Sequence, residues 1–117
     1  MANTITVNRV EQGNKQFQGA FSDMWAVTAT ISDQDAVAIG DTLSVNMTVP
    51  GVVLGDMVIG QSLTVDYFDA GGDGAVIGAS VGSANTVLFT IHADVAEFAA
   101  DALNGAVIKL LVGRPSW

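Results

Sequence analysis

Apolar and polar residues alternate with a period of two along much of the chain. In residues 42 to 49, Leu43, Val45, Met47 and Val49 fall on one side and Thr42, Ser44, Asn46 and Thr48 on the other, the pattern of a half-buried strand. Pro50 and Gly51 end it, because proline lacks a ladder donor and glycine admits a tight turn. Upstream, Trp25, Val27, Ala29 and Ile31 alternate with Ala26, Thr28 and Thr30, which predicts a second such strand over Met24 to Ile31. Downstream, Met57 to Ile59 and Leu63 to Phe68 read as one strand broken near Gly60, where a bulge is expected. Ala75 to Val81 and Thr86 to Ile91, separated by Gly82, Ser83, Ala84 and Asn85, read as a hairpin. Val107 to Val112 forms the last strand, with Gly105 before it and Gly113, Arg114 and Pro115 after it. With Ile5 to Val7 included, the expectation is all-β: one domain of seven to eight antiparallel strands, a β-sandwich or jelly roll.

Two stretches depart from the alternation. Residues 94 to 104 carry Val95, Phe98 and Ala102 at helical spacing behind Asp94, and the reading favours a loop or a single helical turn. The polar run Gln12, Gly13, Asn14, Lys15, Gln16 follows the first short strand and predicts a flexible loop or arm, so residues 1–20 divide from a body at 21–117.

Charge sharpens this division. Arg9, Glu11 and Lys15 are the only charges of the first twenty residues, whereas residues 21–117 hold 2 basic and 11 acidic side chains of the −8 total. Such a surface repels polyanions, so direct nucleic-acid binding is not expected. Half of the 117 residues are hydrophobic, more apolar material than one core of this size hides easily, and self-association would cover the excess. The chain has no cysteine, which removes disulfides, thiolate nucleophiles and cysteine-based zinc sites. The segment Met1 to Val7 lacks the features of a signal peptide, which points to synthesis in the cytoplasm, and without a long apolar run no membrane span is expected.

Candidate chemistry is sparse. Asp69, Ala70, Gly71, Gly72, Asp73 and Gly74 resemble part of a calcium loop, but Gly71 stands where a third ligand is needed and Ser80 where a bidentate glutamate is needed, so a hairpin turn is the preferred reading. His92, the single histidine, has no serine elbow to serve, and a small hydrolase built on it is a remote alternative. The acids fall mostly in turns rather than facing one another as a glycosidic pair. No phosphate-binding glycine loop is present. Neither catalysis nor a cofactor or metal is expected. Trp25 fits a core strand, while Trp117, behind Arg114 and Pro115, could anchor on another subunit. A carbohydrate-binding or adhesin module using Tyr67, Trp25 or the Asp69 to Gly74 segment is the alternative function.

The stretch Thr48, Val49, Pro50, Gly51, Val52, Val53, Leu54, Gly55, Asp56, Met57, Val58, followed by Gly78, Ala79, Ser80, Val81, Gly82, Ser83, Ala84, Asn85, Thr86, Val87, resembles small structural proteins of tailed bacteriophages. These include jelly-roll capsid decoration, or cement, proteins. The likeness spans residues 37 to about 113 and rests on turn-forming residues, with Gly82 where serine is more usual. It implies a decoration subunit on the virion surface, a homotrimer bound to the major capsid protein at capsomer junctions. On the charge asymmetry, Arg9 and Lys15 would then face the shell, with Arg114 and Trp117 as further docking candidates.

Overall fold

The computed structural model describes residues 3–16, 20–64, 75–93 and 97–116. Seven strands are present: β1 (Thr4–Gln16), β2 (Phe21–Asp33), β3 (Thr42–Thr48), β4 (Met57–Leu63), β5 (Ala75–Ser83), β6 (Thr86–Ala93) and β7 (Val107–Pro115). They form a β-sandwich of two sheets, one ordered β1-β2-β7-β4 and the other β3-β6-β5, with every neighbouring pair antiparallel. The β3–β6 pairing is nested in sequence inside the β2–β7 pairing. β1 lies beside β3 at one rim and β4 beside β5 at the other.

The alternation has its predicted cause. Trp25, Val27, Ala29 and Ile31 of β2, Ile108, Leu110 and Val112 of β7, Met47 of β3, and Val87, Phe89, Ile91 and Ala93 of β6 all point into one buried core. Successive side chains of a strand leave opposite faces, so each sheet contributes every second residue to the layer between them. β6 is the central strand of its sheet and buries each alternate residue; β4, at an edge, is exposed along most of its length. The bulge expected near Gly60 is there, as a register shift between Val58 and Gly60 against β7.

β1 differs from its expectation. The polar run Gln12 to Gln16 is strand, and its pairing with β2 continues to Gln16 opposite Phe21. β1 is an edge strand, so polar residues on its outer face and free edge meet water, and the register is supplied by its neighbour. Residues 65–68, expected to continue the fourth strand, lie outside the described residues.

One end of the sandwich, where β2 finishes and β3 begins, is organised by Gln34, which is buried as a whole residue at 2% exposure. Its Nε2 donates to the carbonyls of Asp35 (2.6 Å) and Ala99 (3.0 Å), and its Oε1 accepts from the Leu103 amide (3.1 Å). Val37 and Phe98 exchange two backbone hydrogen bonds above it, each of 2.9 Å. The segment 97–105 is therefore a loop with turns, as preferred from the sequence. Asp33, Asp35, Asp41, Glu97 and Asp101 all belong to this end.

The outer face of the four-stranded sheet is divided along its length. Toward the acidic end it carries the row Arg9, Thr28, Lys109, Ser62; toward the other end it carries the row Glu11, Ala26, Leu111, Gly60, then Met24 and Met57 on either side of Gly113. A Cβ on Gly113 would stand 2.7 Å from Phe21 Cδ1 and 2.8 Å from Ile59 Cδ1, so both side chains lie against its bare backbone. Gly113→Ala should lower stability by about 1–2 kcal/mol, the cost of overpacking. Urea denaturation checks it, and an unchanged midpoint would mean that Phe21 and Ile59 yield freely.

Candidate functional site

At the end opposite Gln34, the residues that follow β3 make a compact double turn. The Gly51 amide donates to Asn85 Oδ1 (2.8 Å), the Asn85 amide to the Val52 carbonyl (2.8 Å) and the Val49 amide to the Asn85 carbonyl (2.9 Å). Asn85 holds φ 62, a left-handed conformation that asparagine tolerates better than most residues. Val53 to Asp56 closes a second turn with a 3.1 Å amide-to-carbonyl bond. Gly55 occupies its third position at φ 101, where a side chain would be strained.

Arg114 of β7 fastens this double turn to the sandwich. Its Nε and Nη2 donate to Asp56 Oδ1 and Oδ2, both at 3.0 Å, and Nη2 also donates to the Gly51 carbonyl at 2.8 Å. Asp23 Oδ2 lies 3.6 Å from Nη1. The guanidinium sits 5.2 Å from the centre of the Trp25 ring, and Trp25 Nε1 donates to the Pro50 carbonyl at 3.0 Å. The Asp56 side chain is only 2% exposed and also accepts from the Val53 amide. A planar donor fork matched to a carboxylate, stacked on an indole, is the geometry that favours arginine over lysine. Its hydrogen bond to Asp56 pushes the Arg114 pKa above its ordinary value.

The double turn therefore displays its remaining side chains from a rigid base. Leu54, at the tip, is 70% exposed, and Val53, Met57 and Ile59 are also open to solvent. With Phe21, Ala26 and Leu111 they extend the apolar half of the outer sheet face, over a buried Met24. β4 beside them has no charged residue, although charge is a common protection of edge strands.

The residues singled out from the sequence are not brought together. Arg9 is on the outer face of β1, paired with Glu11 two residues on. Lys15 falls on β1 near its end. Arg114 is committed inside the protein to Asp56, Asp23 and Gly51, so it is not a free docking cation. Trp117, Tyr67 and the Asp69 to Gly74 segment lie outside the described residues. Trp25 is fully buried, which removes it as a sugar platform. His92 shares a 3.0 Å hydrogen bond with Thr42 Oγ1 across the β3–β6 pair, and Asp94 is outside the described residues. Gly82 has a physical reason to differ from serine: a Cβ there would stand 2.8 Å from the Leu88 side chain.

Among the described residues no group of three or more histidines, cysteines or carboxylates could hold a metal ion. A surface groove of about 460 Å³ opens at the β1–β3 rim between Ile5, Val7 and Val10 and the edge residues Asn46 and Thr48. It gathers apolar side chains and neutral amides, with Arg9 at its border. The arrangement presents contact surfaces rather than converging acid, base and nucleophile. Sequence reasoning passed over the exposed group Val53, Leu54, Met57 and Ile59, although three apolar residues directly after a Pro-Gly turn were a signal: only the first of them, Val52, is used by the core. Comparison with known protein families, with characterised proteins and with solved structures finds no match for this chain.

Proposed function

We propose that the chain is a non-catalytic structural subunit that decorates the head of a tailed bacteriophage, binding as a homotrimer over junctions of the major capsid protein. The observation that carries this reading is the double turn at residues 50–56. It lies within the first of the two stretches that carry the resemblance to decoration proteins, and it is locked by Arg114 and Asp56 while its tip displays Leu54. A rigid apolar knob has lost its conformational freedom before it binds, so little further entropy is spent when subunits join into the trimer. Repeated over a shell, contacts that are weak singly act together through effective concentration.

On this reading the charged face of β1 meets the shell through Arg9 and Lys15, while the acidic end is turned to solvent. The test is co-sedimentation of the purified chain with heads assembled from the shell protein of the virus that encodes it. The chain should pellet with the heads, and the double variant Arg9→Glu, Lys15→Glu should bind at least about tenfold more weakly, with the difference shrinking as salt is added. A wild-type chain that stays in the supernatant overturns the decoration reading. A charge-reversed variant that pellets normally overturns only the role of β1.

A further inference from the structure

We infer that the apolar half of the outer face of the four-stranded sheet, together with the Leu54 turn, is where a second copy of this chain docks, with the acidic ends of the two copies directed apart. This rests on the structural-subunit reading and specifies the surface that self-association uses.

In a two-layer sandwich the outer face of a sheet is expected to be polar. Here half of one outer face is, and half is not. The row Arg9, Thr28, Lys109, Ser62 is polar, whereas Ala26, Leu111, Met57 and Ile59, nearer the Leu54 turn, are apolar over a buried Met24, and Glu11 beside Ala26 is paired with Arg9. Phe21 and Ile59 close over Gly113, so the surface is continuous there rather than split by a backbone furrow.

The occupant follows from where the charges lie. A chain of net charge −8 meets repulsion from any copy of itself unless the contact is kept away from the acids. Among the described residues, Glu11 is paired with Arg9, and Asp23 and Asp56 are held by Arg114. The carboxylates without an ion pair, Asp33, Asp35, Asp41, Glu97 and Asp101, sit at the opposite end. Met24, in the apolar row, and Asp33 are separated along β2 by roughly 30 Å at the usual rise per residue. That is several times the screening length of about 8 Å at physiological salt. Two copies can therefore join their apolar halves at little electrostatic cost, provided that their acidic ends do not lie side by side. Residues Met57 to Leu63 add an uncharged edge that does not oppose the approach.

The experiment is light scattering of the full chain from micromolar to millimolar concentration at physiological salt, for the wild type and two variants. Leu54→Glu changes a side chain at a turn tip that is outside the core, and Ile39→Glu changes an equally exposed residue (61%) at the acidic end. The wild type should be multimeric, Leu54→Glu should raise the dissociation constant about tenfold or more, and Ile39→Glu should leave it unchanged. A wild type that remains monomeric at millimolar concentration overturns the inference and gives the patch to a different protein. Dissociation by Ile39→Glu but not by Leu54→Glu overturns it as well, by moving the interface to the other end. A multimer that fails to pellet with heads leaves this interface standing and refutes only decoration.

Discussion

Trp25→Ala should cost the fold about 4 kcal/mol, the middle of the range for removing a large buried aromatic. The indole is fully buried in the core, lies under the Arg114 guanidinium and donates to the Pro50 carbonyl. Truncation removes all three interactions and leaves a cavity where the double turn meets the sandwich. Against a typical stability of about 5–15 kcal/mol, the variant should be close to unfolding at physiological temperature. Urea titration followed by far-ultraviolet circular dichroism would show it. Trp25→Phe should recover much of the volume but not the bond to Pro50, and should cost about 2 kcal/mol. A loss below about 1 kcal/mol for the alanine variant would contradict the packing described above.

Arg114→Ala is expected to cost about 3 kcal/mol, the lower end for breaking a buried ion pair because the arginine itself is one third exposed. The larger part of that cost is left on Asp56, whose carboxylate is almost fully buried and would keep only the Val53 amide as a partner. For a domain of this length the melting temperature should fall by roughly 10 °C. Arg114→Lys should restore little, since a single ammonium cannot span both oxygens of Asp56 and the Gly51 carbonyl. The sign of the pH dependence is fixed by the direction of the shift. Folded Arg114 holds its proton more tightly than the unfolded chain does, so its contribution is complete below the unfolded pKa and is lost only as pH rises through the folded one. The wild-type minus Arg114→Ala difference should therefore be flat from neutral to mildly alkaline pH. A difference that decays across that range would assign the effect to another group.

Strand positions were legible wherever a strand buries one face and wets the other. Residues 42 to 48 and 24 to 31 are of this kind, and their alternation carries the core of both sheets. β1 was not fully legible because an edge strand can be polar on its outer face and along its free side, and Gln12 to Gln16 then have the composition of a loop. Arg114 reads as a docking residue because it stands close to Trp117, an aromatic that could anchor on another subunit. Its actual partners, Asp56 and Gly51, are 58 and 63 residues away, and no local pattern announces such a pair. Leu54 and Ile59 were visible as apolar residues, but their exposure depends on β4 being an edge strand, which is a property of strand order and not of local sequence.

The nesting of the strand pairs also constrains when the protein can acquire its structure. β7 is the inner strand that joins β2 to β4, yet it is made after the other six. While a ribosome is still extending the chain, the β5–β6 hairpin and its neighbour β3 can assemble, and β1 can fold back on β2, but β2 and β4 have no strand between them. For the seconds that translation of this interval takes, their core-facing side chains and unpaired backbone edges are exposed. Cooperative closure must wait for β7 to emerge, and its pairing spans most of the chain, which makes this a slow, high-contact-order step. A nascent chain stalled before residue 107 should accordingly be sensitive to protease and bound by holdase chaperones, whereas one released beyond residue 115 should become resistant in a single transition.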